Sequence, residues 1–556
     1  MKVIATATNL ATAFKNVGRV TEIIGVFAKH GFGELFHRMS LSRFISKPTD
    51  ERLKHVPVNE RLRMSFEELG PTFVKLGQLL AGRSDLLPES YIRSFEKLQD
   101  NVATVPFPEI KNAIEKELGA PLDQIFSLFE QTPLAAASIA QVHGAILNSG
   151  ENVAIKVQRP DIARLIHSDI SILRGLAFLL ERYVPEIRTF NPQGLVDEFF
   201  RSILYELDFR VEANNVKRIG DNLSSFKKVA IPKVYFEKSG RRILVLERFE
   251  GIRFSDRNAI VAAGINPVEI LEIGADAFFH MVMKDGLFHG DLHAGNLFVL
   301  RDGRIGIIDF GIVGRLSRRV QDSIISMFVA IMDEDFETLA SEYLSLSPSS
   351  EWADVYQLQK ELMDNISPYV GMALGDVNIG DILLRSTHIA AKHKLTVPKE
   401  LMLLFRAIYS IDGLGKALDP HFDIRTLGIR HARQVLAGRY SKERLLRDLI
   451  VIGRETQSTM EMFPRLFKRF LRTWGQNRFA IEIKNPDAIQ IAKALLQLSR
   501  TLVMTIGMFG LIAIGITFET LSTPPHLLGH PWLSIICFAM ASAIGLHTVY
   551  HLKRHS

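Results

Sequence analysis

Cysteine is nearly absent from the chain. Cys537 stands alone among 556 residues, which excludes an internal disulfide framework and any cysteine-based zinc site. Its thiol reads as apolar filler in a protein of a reducing compartment, not as a nucleophile. Runs of Lys and Arg interleaved with aromatics are missing, so nucleic acid has no support as a partner. Excess charge is slight: 67 basic and 61 acidic side chains leave a formal net charge of +6. That value suits an anionic ligand or an anionic membrane surface and demands neither. No internal repeat, low-complexity tract or secretory signal is evident. Residues 1–21 carry Lys2, Lys15 and Arg19 and no acid before Glu22; they read as a plain basic helix, with a transit peptide or an amphipathic surface helix as alternatives. Charge disappears from Thr501–Phe518, and acids, Lys and Arg disappear from Pro531–Tyr550. Each stretch has the roughly 18–20 residues that cross a hydrocarbon core. A hairpin of two transmembrane helices is expected there, the alternative being a buried helical pair. Lys493 and Arg500 ahead of it and Lys553 and Arg554 behind it put both ends on the cytoplasmic side. The Gly- and Ala-rich spans permit helix pairing, and so a homodimer.

The length exceeds what one core holds, and 47% hydrophobic with 23% charged residues is ordinary for a globular protein. Four segments are expected. Residues 1–118 form a helical extension, in which Leu69, Phe73, Leu76 and Leu80 recur at helical spacing. Lys75-Leu-Gly-Gln78 lies on that helix, where a Lys taken alone is readily a solvated residue. Residues 119–250 turn to β-structure with a helical insertion. Ala135, Ala136, Ala137, Ser138, Ile139, Ala140, Gln141, Val142 and His143 read as a hairpin, and Val153-Ala-Ile-Lys156-Val157 as the next strand. A hairpin followed by a strand with a Lys is the arrangement that covers and grips nucleotide phosphates in kinases. Asn191-Pro192 caps and starts a helix with Leu195, Phe199, Ile203 and Leu207 on one face and Glu206, Asp208 and Glu212 beside it. Strands are expected over Val229–Tyr235 and Arg242–Phe249, the second placing Glu247 at the nucleotide and ending at Glu250-Gly251 as a hinge between lobes would. Residues 251–499 are mainly helical, and 500–556 form the apolar hairpin.

The chemistry concentrates in Phe288–Gly311, FHGDLHAGNLFVLRDGRIGIIDFG. Two apolar runs flank Asp302-Gly303, a hairpin signal, and an acid stands at each end. This layout holds metal-bound phosphates next to a proton acceptor. Asp309 and Asn296 offer oxygen ligands to Mg2+, and Asp291 orients or deprotonates the attacking hydroxyl or water. With phosphoryl transfer or ATP hydrolysis as the expected class, Lys156 would bind the α- and β-phosphates, steadied by Glu206 or Glu212. His289 and His293 have metal-pair spacing but no third ligand, so structural roles are expected for both.

Taken together, these residues resemble the UbiB family of atypical, protein-kinase-like ATPases. The matching elements are Lys75-Leu-Gly-Gln78, the Ala-rich Ala135–Ala140, Lys156, Glu206-Leu-Asp208, His289-Gly-Asp291 through Asn296, and Asp309-Phe-Gly311, within residues 60–330 or so. The resemblance implies an α+β, two-lobed protein-kinase-like fold with an N-terminal helical extension and a C-terminal transmembrane hairpin. It implies ATP and Mg2+ as cofactors. It also implies that the Lys75–Gln78 segment lies over the site, with Lys75 able to pair with Glu206 and Asp208. The resemblance leaves the Lys156 partner open between Glu206 and Glu212; Glu212 is preferred, with Glu206 and Asp208 facing Lys75 or metal. The implied setting is the bacterial inner membrane, with ubiquinone-biosynthesis enzymes, membrane lipid and lipid-like quinone precursors as partners. A small-molecule phosphotransferase and a nucleotide-gated scaffold with little turnover are the competing readings.

Overall fold

A computed structural model describes residues 16–45, 50–53, 55–83, 87–98, 103–347, 353–369, 378–439, 488–521, 524–527 and 530–555. The chain divides into two units, Met1–Lys442 and Glu443–Ser556.

In the first unit the extension is built from α1 (Val17–Phe27), α2 (Val58–Leu69) and α3 (Pro71–Ala81). Gly70, at φ 90°, makes the corner between α2 and α3 in a region that side chains with a Cβ rarely adopt. Pro71 then supplies a preset first residue. The apolar stripe read from the sequence is real: Leu69, Phe73 and Leu76 are buried with Val20, Ile23 and Ile24 in one core. Gly77 is needed for contact, since a Cβ there would stand 2.2 Å from Leu98 Cδ1. The same core takes in Ile166, Ile170, Phe199 and Ile203 of an inserted pair, α5 (Ile162–Tyr183) and α6 (Pro192–Glu206). The helix between extension and insertion, α4 (Phe107–Leu118), belongs elsewhere: Ile110 and Ile114 bury against the sheet. The expected boundary at residue 118 therefore cuts behind a helix that packs with the lobe following it.

That lobe is a five-stranded sheet, β1 (Phe126–Phe129), β3 (Ala140–Leu147), β4 (Asn152–Gln158) and β6 (Ile243–Glu247) in spatial order, with β2 (Ala135–Ala136) paired to β3. Strand alternation sends Val153, Ile155 and Val157 toward α4 and Lys156 to the other face. Here α7 (Phe209–Asn222) buries Phe209 and Ala213 in the extension core. The expected strand over Val229–Tyr235 is cut to β5, Val229–Ala230. Pro232 has no N–H to continue a ladder, and β5 joins the second lobe by pairing parallel with β10.

The second lobe begins after β6. Its four-stranded sheet runs β5, β10 (Ile305–Ile307), β9 (Leu297–Leu300), β7 (Gly251–Arg253). The turn at Asp302-Gly303 pairs Ile305 with Val299 as the sequence indicates. The hinge is thus 248–250, between strands of different sheets. β8 (Leu287–His289) and β11 (Val313–Arg315) form a separate pair that frames the Asp-Phe-Gly turn. α8 (Pro267–His280) and α9 (Lys399–Leu418) pack beneath through Phe278, Phe279, Leu401 and Phe405.

In the second unit, α10 (Ala488–Leu521) and α11 (Trp532–His555) run antiparallel, Gly515 meeting Phe538 and Gly545 meeting Met508. Leu502–Leu521, with mean hydropathy 1.9, is long and apolar enough to cross a membrane, and Val503, Ile506 and Phe509 face outward. Trp532–His547 is a shorter apolar helix among the residues whose side chains are described, about 24 Å at 1.5 Å per residue. The helix itself runs Trp532–His555 and so contains all of the expected Pro531–Tyr550 span but its first residue. At the turn, Glu519 is met by His530 and Ser534.

One ion pair fastens the extension. Arg19 donates to both oxygens of Asp169 on α5, at 2.8 and 2.9 Å, and to the Leu69 carbonyl at 2.9 Å, just ahead of the Gly70 corner. The Asp169 side chain is fully buried. Removing one member of a buried pair leaves an uncompensated charge, worth about 3–5 kcal/mol. Arg19→Ala is expected to lower unfolding free energy by that amount in denaturant titration, and Asp169→Asn by less, since it leaves no buried anion. Equal and negligible effects would contradict this role.

Candidate active site

The site is organised by Lys156. Its Nζ lies 2.9 and 3.0 Å from the Glu212 carboxylate and 3.3 Å from Asp309 Oδ1, above the Phe209 ring at 5.6 Å. The helix geometry explains why Glu212 is the partner. α6 ends at Glu206, and Asp208 caps a new helix by accepting from the Arg210 N–H. The break turns the chain, so Glu212 in the first turn of α7 points inward while Glu206 faces α3. There Glu206 Oε2 takes Lys75 Nζ at 3.2 Å. Two lysine–carboxylate pairs thus flank one helix junction.

Charge within the cluster is mutually sustained. Burial works to lower the Lys156 pKa, but the Asp309 and Glu212 carboxylates overrule it and raise it. Burial lifts the Glu212 carboxyl, with Lys156 pulling the other way. Asp309 is held down to about 2, first by the Lys156 ammonium and further by the Gly311 N–H. Its backbone sits at φ 57°, an αL conformation that Asp adopts more readily than most residues, and 49% of its side chain remains open to solvent.

The loop between β8 and β9 carries the remaining groups. Buried His289 accepts from the Asp291 N–H through Nδ1 at 3.1 Å, and its Nε2–H donates to the Ile308 carbonyl at 3.2 Å. Burial pushes its pKa down, so the ring is a neutral strut, the structural role expected for it. Asp291 keeps its carboxylate half exposed, with His293 Nε2 3.9 Å away. Asn296 Nδ2 donates to the Asp291 carbonyl at 3.0 Å, which turns the amide oxygen away as an available ligand.

Several expected nucleotide contacts lie elsewhere. Gln141 and His143 are on the face of β3 opposite Val142, the residue paired with Lys156. Gln141 bonds both backbone groups of Val105 and the His143 ring, and His143 Nδ1 bonds the Glu130 carbonyl. Both side chains are engaged inside the lobe. The Glu247 carboxylate accepts from the Lys233 N–H. Of the residues expected to pair with lysine or form the lid, Asp208 pairs with Arg210 and Gln78 donates to the Leu98 carbonyl. The Ala-rich turn is braced from below: Arg159 bonds the Ala137 and Ile139 carbonyls, and Ile139 and Ala140 belong to the extension core. Ser138 Oγ is buried there with no hydrogen-bond partner.

Other contacts escape the sequence reading. Asn215, one turn beyond Glu212, donates to the Phe310 carbonyl at 3.2 Å and accepts from Arg315 at 3.0 Å, tying α7 to the Asp-Phe-Gly turn. Its one sequence signal is its place on the buried face of α7. The donor set fits a hard cation: an ionised carboxylate at Asp309 and the amide oxygen of Asn296 are oxygen ligands of the kind Mg2+ takes. Among the described residues no cluster of three or more His, Cys, Asp or Glu offers a softer alternative.

The depressed Asp309 pKa has a signed consequence. An acid whose folded value lies below its ordinary 3.8 adds stability that is complete above that value and vanishes as pH falls through about 2. Parent and Asp309→Asn chains are expected to converge in stability between about pH 4 and pH 2 in acid titrations followed by circular dichroism. A difference that stays constant with pH would contradict the ion pair.

Comparison with known proteins agrees with this geometry. Residues 97–343 match the model of the ABC1 atypical kinase-like domain, and residues 362–423 that of the UbiB helical domain. A protein of Xanthomonas euvesicatoria pv. vesicatoria named "Probable protein kinase UbiB" is 32% identical over 82% of this chain and 84% of its own length. One of the same name from Marinobacter nauticus is 35% identical over 66% and 68%. A Clostridium pasteurianum protein, "Uncharacterized protein in hydrogenase 1 5'region", is 29% identical over 97% and 99%. With its motifs, fold and relatives in accord, the chain belongs to the UbiB family of atypical kinase-like proteins.

Proposed function

We propose that the chain is a membrane-anchored, Mg2+-dependent ATPase of the kinase type that supports ubiquinone biosynthesis, handling lipid-like quinone precursors or organising the enzymes that act on them. The observation that carries this reading is the sharing of Lys156 between Glu212 and Asp309, on the same site as Asp291 and Asn296. In this arrangement Lys156 neutralises nucleotide phosphate, and Glu212 keeps its ammonium aimed at the cleft. Asp291, positioned through its own backbone by His289 and Asn296, orients the attacking hydroxyl or water and accepts its proton. Asn296 and Asp309 would hold Mg2+, which when bound supplies positive charge to the phosphate oxygens.

What meets this site is limited by α3. The Lys75–Glu206 pair ties the extension to the end of α6, and the core under α3 is continuous with α5 and α6. A lid so fastened disfavours a folded protein acceptor and favours water or a slender molecule. The apolar α10–α11 pair supports anchoring in the bacterial inner membrane by two spans, with the catalytic unit on the cytoplasmic side, where a greasy substrate is met.

Purified full-length protein in detergent is expected to hydrolyse ATP only with Mg2+, and Asp309→Asn to lose roughly a hundredfold or more of that rate. Undiminished hydrolysis by Asp309→Asn would overturn the metal assignment. In cells, deletion is expected to deplete ubiquinone, with rescue by the parent chain and not by Asp291→Asn; normal quinone content in the deletion strain would remove the biosynthetic role.

A further inference from the structure

A cavity of about 510 Å³ opens behind α7 and shares no residue with the Lys156, Asp291, Asn296 or Asp309 positions. Its floor is apolar, with Val216, Leu223 and Val229 buried and the rings of Phe226 and Phe236 at its sides. Its rim carries four cations, Lys217, Lys227, Lys233 and Arg304, against one acid, Asp221. Two of the cations are matched: Lys217 is 2.6 Å from Asp221, and Arg304 is 2.6 Å from Asp302. Lys227 and Lys233 have no carboxylate within ion-pair distance among the described residues; Lys233 rests over the Tyr235 ring, 5.1 Å from its centre.

We propose that this cavity is a second ligand site, for a small anion carried on a flat apolar body, such as an aryl carboxylate. The volume falls within the range of about 300–1,000 Å³ typical of small-molecule sites. An apolar floor with Lys227 and Lys233 outside any ion pair at its mouth, Lys233 sharing its charge at longer range with Glu151, rewards a ligand whose one end is hydrophobic and whose other end is negative. A neutral body of the same shape gains only the floor. The cavity wall is α7 itself: Val216 and Gly220 lie one and two turns beyond Glu212, so an occupant bears on the helix that holds Lys156.

The test uses the full-length protein in detergent with 2-naphthoate as the probe and 2-naphthalenemethanol as its uncharged counterpart. Calorimetry is expected to give saturable binding of the carboxylate, with the alcohol roughly tenfold or more weaker. The Lys227→Glu, Lys233→Glu double variant is expected to lose at least that factor for the carboxylate and little for the alcohol. Bound 2-naphthoate is expected to slow amide exchange in residues 209–222. Equal affinity for acid and alcohol, absence of carboxylate binding, binding indifferent to the charge reversal, or unchanged exchange in that helix would each overturn the assignment. The ligand comparison on the parent chain stands even where the variant fails to fold, and none of these readings requires ATP turnover.

Discussion

One ammonium group fixes the geometry on which the rest depends. Lys156 is largely buried, and a buried cation persists only with carboxylates around it. Glu212 answers from the first lobe and Asp309 from the second, so a single charge joins β4, α7 and the Asp-Phe-Gly turn. Asn215 repeats the connection one turn along α7 by holding the Phe310 carbonyl. The lobes are therefore aligned by polar contacts converging on one helix face. That face is placed in turn by the helical extension, whose core runs without a break from α1 to α7.

The Lys75–Glu206 pair extends the same logic outward. Glu206 and Glu212 are separated by the capping residue Asp208, and each receives a lysine from a different part of the chain. A change in α7 that disturbs Glu212 acts on the same junction that holds α3 through Lys75. The Arg19–Asp169 pair, set against the carbonyl that precedes the Gly70 corner, steadies α3 from its other end. The braced Ala-rich turn packs on the same extension core through Ile139 and Ala140.

Much of this was legible in the residues, because it depended on local periodicity and turn chemistry. The Val153–Val157 run marked the strand that bears Lys156, and Asp302-Gly303 marked the hairpin between Asn296 and Asp309. The Leu69, Phe73, Leu76 stripe identified the buried face of α3. What failed depended on tertiary direction. Gln141 and His143 sit next to Val142 in sequence but across the sheet from it, and a strict use of period 2 would have set them apart. The break at Leu207-Asp208 sends Glu206 to Lys75 and Glu212 to Lys156, the assignment preferred from the sequence although its one local signal is a capping Asp. Pro232 warned that the Val229 run could not continue as a strand. Asn215 had no motif, and its contacts come from residues 95 and 100 positions away that sequence spacing cannot bring near.

The central claim is that Lys156, Asn296 and Asp309 form a nucleotide–metal site on the folded chain. Calorimetric titration of the full-length protein with ATP, with and without Mg2+, addresses it without reference to acceptor or turnover. Binding is expected to strengthen with Mg2+ in the parent chain, to lose that dependence in Asp309→Asn, and to be weak under both conditions in Lys156→Ala. Binding of equal strength in all three proteins, unaffected by Mg2+, would contradict it.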